Sequence, residues 1–280
     1  MSSRRTHDVT TTDGVIVRGR VQGQGPPLVF VQGIMGDGDL DWQALAGHLA
    51  GRFTCYLPSW RGRGLSGDHP DVSFGRLVDD VLAYIASIET APGLVGWSAG
   101  ANLALTAAGT QPEAVDAVAL VGPNMPWLMD EHERAALGGA VARMGELAAE
   151  DRFTDAMRWF AGFPFNDDDI AVADDADYFE AAGRYVAHLL NVQQQAMVYD
   201  GPTPDQPAVL GAISAPVLVL HGSHAKPYDL AAARHVADHV PGARTQEIPG
   251  AGHAAPLTHP AELAEALTEF FSSAQQPAWS

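Results

Sequence analysis

The five residues Gly96-Trp97-Ser98-Ala99-Gly100 constrain the fold of this chain more than any other stretch. The apolar run Gly93-Leu94-Val95 leads into them, and a small-residue run from Ala101 to Ala108 leads out. That order is strand, sharp turn, helix. A serine at the apex of such a turn is forced into a cramped backbone conformation, which only glycine-sized residues two positions away tolerate. Its hydroxyl then stands at the end of a sheet above a helix N-terminus, where backbone N–H groups and the helix dipole favour a developing negative charge. Taken alone, Gly-x-Ser-x-Gly also fits a plain Gly/Ala-rich turn. The flanking strand and helix patterns favour the catalytic reading.

Strand and helix patterns alternate on both sides of this turn. Residues 7–21 surround Asp13-Gly14, a two-residue hairpin signal between short antiparallel strands. The apolar run Leu28–Val31 reads as a strand covered on both faces, with further strands at Phe53–Leu57, Ala117–Val121, Pro216–Leu220 and Thr245–Ile248. Helices are expected around Trp42–Leu49, over 75–89 with Leu77, Val81 and Ile85 on one face, over 229–239, and from Pro260 onward. The pattern predicts an α/β fold with a mainly parallel sheet flanked by helices. From Asn124 to Ala212 the alternation stops, and the segment reads as an inserted helical lid rich in aromatic and methionine side chains. The expected division is a first part of the core over 1–123, the lid over 124–212 and a second part of the core over 213–280. Within the lid, Asn166-Asp167-Asp168-Asp169 reads as a solvated acidic turn rather than a cation site.

A length of 280 residues with 46% hydrophobic content suffices for one large α/β domain carrying an insertion. The net charge of −18 and a single lysine, Lys226, leave no basic stripe, which argues against nucleic acid or an anionic membrane as partner. Cys55, the one cysteine, lies in an apolar run and reads as a buried thiol, with no second cysteine for a disulfide or a metal cluster. His221 and His224 lack a third ligand, so no metal is expected. Met1–Asp8 carries Arg4-Arg5 without the apolar segment of a secretory signal, and no apolar stretch reaches membrane-spanning length. A cytoplasmic protein with a frayed tail, Ala274–Ser280, is the expectation.

Ser98 needs a base, because a free hydroxyl is a poor nucleophile at neutral pH. Of the eleven histidines, His253 stands apart in the loop Gly250-Ala251-Gly252-His253 after a strand end. With these pieces in order the chain resembles the α/β-hydrolase fold superfamily. Val31-Gln32-Gly33 is similar to the loop after its third strand and Arg61-Gly62-Arg63-Gly64-Leu65-Ser66 to the loop after the fourth. Gly96–Gly100 matches the nucleophile turn, Val219-Leu220-His221-Gly222 the strand before the acid loop, and Gly250–His253 the histidine loop. The resemblance implies an eight-stranded sheet with the lid after the sixth strand, Ser98 as nucleophile, His253 as general base and no cofactor. It also implies an oxyanion hole from the backbone N–H groups of Ile34 and Ala99, each worth about 3–4 kcal/mol of barrier. Gln32 stands where the family usually has histidine, a change that backbone donors survive.

The pattern departs from the family at the acid. Ala225 fills the expected slot in His221-Gly222-Ser223-His224-Ala225, and Gly122, the alternative position after the sixth strand, is not acidic either. Asp229 is the nearest carboxyl and the candidate acid, against its plainer reading as the N-cap of the helix beginning Leu230-Ala231-Ala232. Asp130 and Glu131 are further alternatives. A hydrolase lacking this acid is slower by about four powers of ten, roughly 5 kcal/mol in barrier. The first reading is therefore a serine hydrolase of a carboxylic ester or lactone of a small to medium apolar molecule. Trp97, Trp60, Trp127 and Trp159 are its candidate pocket walls. The absent acid keeps two alternatives open: a non-hydrolytic lyase, cyclase or acyl-transfer enzyme of the same fold, and a ligand-binding pseudoenzyme. The partner in each case is a small molecule, and the sequence sets no oligomeric state.

Overall fold

A computed structural model describes residues 5–274. Arg4 of the arginine pair and the tail beyond Ala274 lie outside the described residues. Eight strands form one sheet: β1 (Arg5–Thr10), β2 (Ile16–Gly23), β3 (Pro27–Val31), β4 (Thr54–Pro58), β5 (Gly93–Trp97), β6 (Ala117–Val121), β7 (Val217–Gly222) and β8 (Arg244–Ile248). Their spatial order is β1-β2-β4-β3-β5-β6-β7-β8. β1 runs antiparallel to β2, and β2 to β4, while every later pairing is parallel. The β1–β2 connection is longer than a two-residue turn, since Thr10 pairs with Ile16. Thr11 Oγ1 accepts from the Val15 N–H and donates to Asp13, which closes the wider loop.

The helices are α1 (Gly38–Leu49), α2 (Phe74–Ala86), α3 (Ala99–Thr110), α4 (Glu131–Ala149), α5 (Phe153–Ala161), α6 (Asp167–Asp175), α7 (Tyr178–Gly183), α8 (Val186–Ala196), α9 (Pro207–Gly211), α10 (Pro227–His239), α11 (Ala255–Thr258) and α12 (Pro260–Ala274). Strand alternation divides the core into two layers. Leu28, Phe30, Val95 and Trp97 pack with α1 and α12 on one side. Val29, Val31, Leu94 and Val118 pack with α2, α3 and α10 on the other. Both faces of the central strands are thus covered, and the continuous apolar runs follow from that. Cys55 lies in the first layer, fully buried, and burial pushes its thiol up to about 12, which leaves it unreactive.

Between β6 and β7 the chain leaves the sheet and forms α4–α9. Met144, Leu147, Met157, Phe160, Phe179 and Leu189 bury one face of this insertion, continuous with the α1 side of the core. Two of its helices begin with reciprocal caps, Asp130 with Glu133 for α4 and Asn166 with Asp169 for α6. The acidic run is therefore a helix start and not a solvated loop: Asp169 is 1% exposed. Asp130 serves as the cap of α4. Among the described residues no helix is long and apolar enough to cross a membrane.

Candidate active site

Ser98 is the hinge between β5 and α3, with φ 55° and ψ −118°. Such a conformation is strained for a residue with a Cβ, at about 1–3 kcal/mol. Two close approaches impose it. A Cβ on Gly96 would lie 2.6 Å from the Gly100 carbonyl oxygen, and one on Gly100 would lie 2.2 Å from the Val31 oxygen. The turn folds this tightly only because both positions lack a side chain. The Ser98 N–H donates to the Val121 carbonyl at 3.0 Å, which ties the turn to the end of β6, and the side chain remains partly exposed.

His253 reaches the same edge of the sheet. Its ring lies over Gly122, the residue after Val121, whose added Cβ would come 3.3 Å from Nδ1. The Trp97 indole N–H donates to the His253 carbonyl at 2.9 Å, so the residue before Ser98 holds the histidine backbone directly. The Trp97 and Phe165 rings each stand 6.2 Å from the imidazole and make its surroundings apolar.

Nδ1 of His253 lies 3.1 Å from Oδ2 of Asp229, and both side chains are inaccessible to solvent. Asp229 is not the N-cap of its helix. Lys226 takes that place, Pro227 opens the first turn, and Asp229 sits inside that turn facing the histidine. The acid loop is laced to the histidine loop by the bonds Ser223 N–H to Ile248, His224 N–H to Ala251 and Gly250 N–H to Ser223 Oγ. The empty slot at Ala225 is thus bypassed, and the first turn of α10 delivers a carboxyl to the histidine. Opposite a carboxylate oxygen, Nδ1 is the protonated nitrogen and Nε2 carries the lone pair. Nε2 is buried and has no hydrogen-bond partner among the described residues.

The loop after β3 is braced by buried polar groups. Gln32 accepts from the Trp60 N–H at 3.0 Å and donates to the Gly36 carbonyl at 2.7 Å, which spans the loop in place of the expected histidine. Arg63 is fully buried and donates to the Ile34 and Gly36 carbonyls at 2.6 and 2.9 Å. Burial pulls its guanidinium down to about 10, still charged at neutral pH. Its Nε donates to Nδ1 of His188 on α8, whose titration is lowered to about 4 by burial and then by the Arg63 charge. The Gly33 N–H donates to Asp41, and Tyr178 of α7 donates to the other oxygen of the same carboxyl. Burial raises Asp41 to about 7. Ile34 and Ala99, the residues expected to hold an oxyanion, are both partly exposed.

The four tryptophans are dispersed. Trp97 touches His253, as above. Trp60 lies in the opposite core layer, where it lines an apolar crevice of about 20 Å³ with Val17, Val31 and Tyr84. Trp127 packs on Phe74, and Trp159 is 55% exposed on α5. A larger cleft of about 540 Å³ lies beside the braced loop, lined by Asp37, Arg63, Arg184 and Tyr185 among others, and neither Ser98 nor His253 lines it.

Sequence reasoning missed Asp41, Arg63 and Tyr178. For Asp41 a signal existed: Asp41, Leu45 and Leu49 are spaced four apart, which puts the carboxyl on the buried face of α1. Arg63 lies within Arg61-Gly62-Arg63-Gly64-Leu65-Ser66, but nothing local distinguishes an arginine turned inward from one in solvent.

The sequence profile of the Alpha/beta hydrolase family matches residues 28–266. The chain belongs to that family. Among relatives of this alpha/beta hydrolase, the pimeloyl-[acyl-carrier protein] methyl ester esterase of Chromobacterium violaceum is 26% identical over 252 residues, 88% of this chain and 94% of the relative. The 2-(acetamidomethylene)succinate hydrolase of Mesorhizobium japonicum is 27% identical over 262 residues, covering 91% of each chain. A crystal structure of an alpha/beta hydrolase from Sphaerobacter thermophilus superposes with a TM-score of 0.73 at 28% identity, over 95% of this chain and 100% of that one. The fold of the family, an eight-stranded mostly parallel sheet flanked by helices, is the fold seen here.

Proposed function

We propose that this alpha/beta hydrolase cleaves a carboxylic ester or lactone of a small to medium apolar molecule, with Ser98 as nucleophile, His253 as general base and Asp229 as the acid that orients it. One observation carries this reading: the buried 3.1 Å pair of His253 Nδ1 and Asp229 Oδ2, at the sheet edge that also holds Ser98. Nε2 takes the Ser98 proton as Oγ attacks the substrate carbonyl, and Asp229 stabilises the imidazolium that forms. The oxyanion of the tetrahedral intermediate is held by the N–H groups of Ile34 and Ala99. Collapse breaks the C–O bond, and the imidazolium gives its proton to the leaving alkoxide. Water then attacks the acyl-enzyme by the same sequence, with His253 again as base.

The apolar surroundings of the imidazole, Trp97 and Phe165, suit a neutral acyl group. Lys226, the one lysine, is bonded to the Gly162 and Phe163 carbonyls and does not serve as a free cation for an anionic substrate. Relatives named for an ester and for a succinate derivative fit a hydrolytic role without fixing this substrate. The insertion α4–α9 serves as the lid over this edge, where Asp169 of α6 meets the backbone of His253. With Asp229 as acid, a non-hydrolytic role or an inert site is no longer needed to account for the sequence.

Steady-state hydrolysis of p-nitrophenyl butyrate and of a medium-chain lactone tests the reading. Turnover abolished by Ser98→Ala supports it. No turnover of either, with Ser98 also unlabelled by a fluorophosphonate, contradicts it.

A further inference from the structure

The mechanism leaves one buried carboxyl at the histidine loop without a part. Asp169 belongs to the insertion, in the first turn of α6, and is 1% exposed. Its Oδ2 accepts from the Asn166 N–H at 3.2 Å, which is half of the helix cap. The same oxygen accepts from the backbone N–H of His253 at 3.0 Å, a bond that spans 84 positions. Capping requires only the first of these. Gly252 makes room for the second: a Cβ there would stand 2.2 Å from Oδ2 of Asp169 and 2.4 Å from Nδ2 of Asn166.

His253 is thereby held at three points. Asp169 fixes its N–H, Trp97 its carbonyl and Asp229 its ring. The first hold comes from the insertion and the other two from the core. We infer that Asp169 is a positioning residue, through which the insertion fixes the backbone of the histidine loop and so sets where Nε2 stands relative to Ser98. The inference rests on the reading of His253 as the base. A general base must lie within hydrogen-bond reach of the proton it takes, and a misplacement near 1 Å costs on the order of a hundredfold in rate.

The test compares three variants on p-nitrophenyl butyrate, each checked by circular dichroism and thermal melting. Asp169→Ala lowers kcat by about ten- to a hundredfold with KM within about twofold, and slows fluorophosphonate labelling of Ser98 in proportion. Asp169→Asn, whose amide oxygen accepts the same N–H, keeps kcat within about threefold. Asn166→Ala removes the cap of the same helix while leaving the His253 contact, so it lowers the melting temperature with kcat within about twofold. Where Asp169→Ala does not fold, Gly252→Ala disturbs the contact from the loop side, with at least about a tenfold loss of kcat expected. A folded Asp169→Ala or Gly252→Ala with wild-type kcat overturns the role, as does an Asn166→Ala that loses as much kcat as Asp169→Ala. A wild-type protein that neither turns over the ester nor labels at Ser98 instead removes the reading of His253 as base, and this role with it.

Discussion

The buried pair of His253 and Asp229 carries the proposed chemistry. Two side chains with no solvent exposure meet at 3.1 Å, and a carboxyl in the first turn of α10 also benefits from the positive end of that helix. Asp229→Asn keeps the shape of the pair but presents an amide to Nδ1, which no longer fixes the proton there or stabilises the imidazolium. The expected result is a fall in kcat of about four powers of ten on p-nitrophenyl butyrate, with KM little changed. A rate within tenfold of wild type would reject Asp229 as the acid. Ser98 and His253 stand out in the sequence as candidates because Ser98 lies between two glycines and His253 follows two, each just past a strand end. Asp229 was harder to place, since whether it faces the histidine depends on where α10 begins. With Pro227 in the first turn and Lys226 as cap, the helix starts early enough to turn Asp229 toward the histidine. A start at Asp229 would have spent the same carboxyl on capping.

Among the elements, the loop after β3 depends most on others for its shape. Gln32 spans it from within, while Arg63 reaches in from the loop after β4 and ties it to His188 on α8. Arg63→Met removes the donors to the Ile34 and Gly36 carbonyls and leaves both peptide groups free to rotate. We expect kcat to fall by about ten- to a hundredfold, short of the roughly hundred- to thousandfold loss of a whole oxyanion donor, because Gln32 still holds Gly36. Steady-state kinetics with a parallel melt check this, and an unchanged kcat would show that Gln32 alone sets the loop. The turn at Ser98 is less forgiving. Gly100→Ala would drive a Cβ to 2.2 Å from the Val31 oxygen, so we expect either insoluble protein or a melting temperature lowered by several degrees. The order of the core strands from β3 onward, with α1, α2, α10 and α12, was readable from apolar patterns, and this turn from its two glycines, whereas the insertion was legible only as a helical segment. The bracing of the loop was not, because it joins residues far apart in sequence through groups that resemble surface polar residues until the fold buries them.

For the molecule as a whole, the insertion and the sheet share one buried polar layer, with Asp41 at its centre between Gly33 and Tyr178. Burial raises this carboxyl from 3.8 to about 7, so between those values the folded protein holds a proton that the unfolded chain has released. The contribution of Asp41 to stability is therefore fully present below about pH 4 and is lost as pH rises toward 7, on the order of 4 kcal/mol in all. Asp41→Asn can serve both neighbours without titrating. Urea melts at pH 5 and pH 8 should show wild type losing more stability than Asp41→Asn across that interval, and equal losses would contradict the assignment. The acidity of the chain, −18 overall, was plain from composition, and the spacing of Asp41 on α1 marks its carboxyl as inward-facing, but its partner Tyr178 emerged only from the packing of α1 against α7. The most direct test of the central claim is the mass of the protein quenched during turnover of p-nitrophenyl butyrate. A butyryl adduct is expected on the peptide containing Ser98, absent from Ser98→Ala and slow to form in Asp229→Asn. Turnover with no adduct, or with an adduct on another residue, would contradict it.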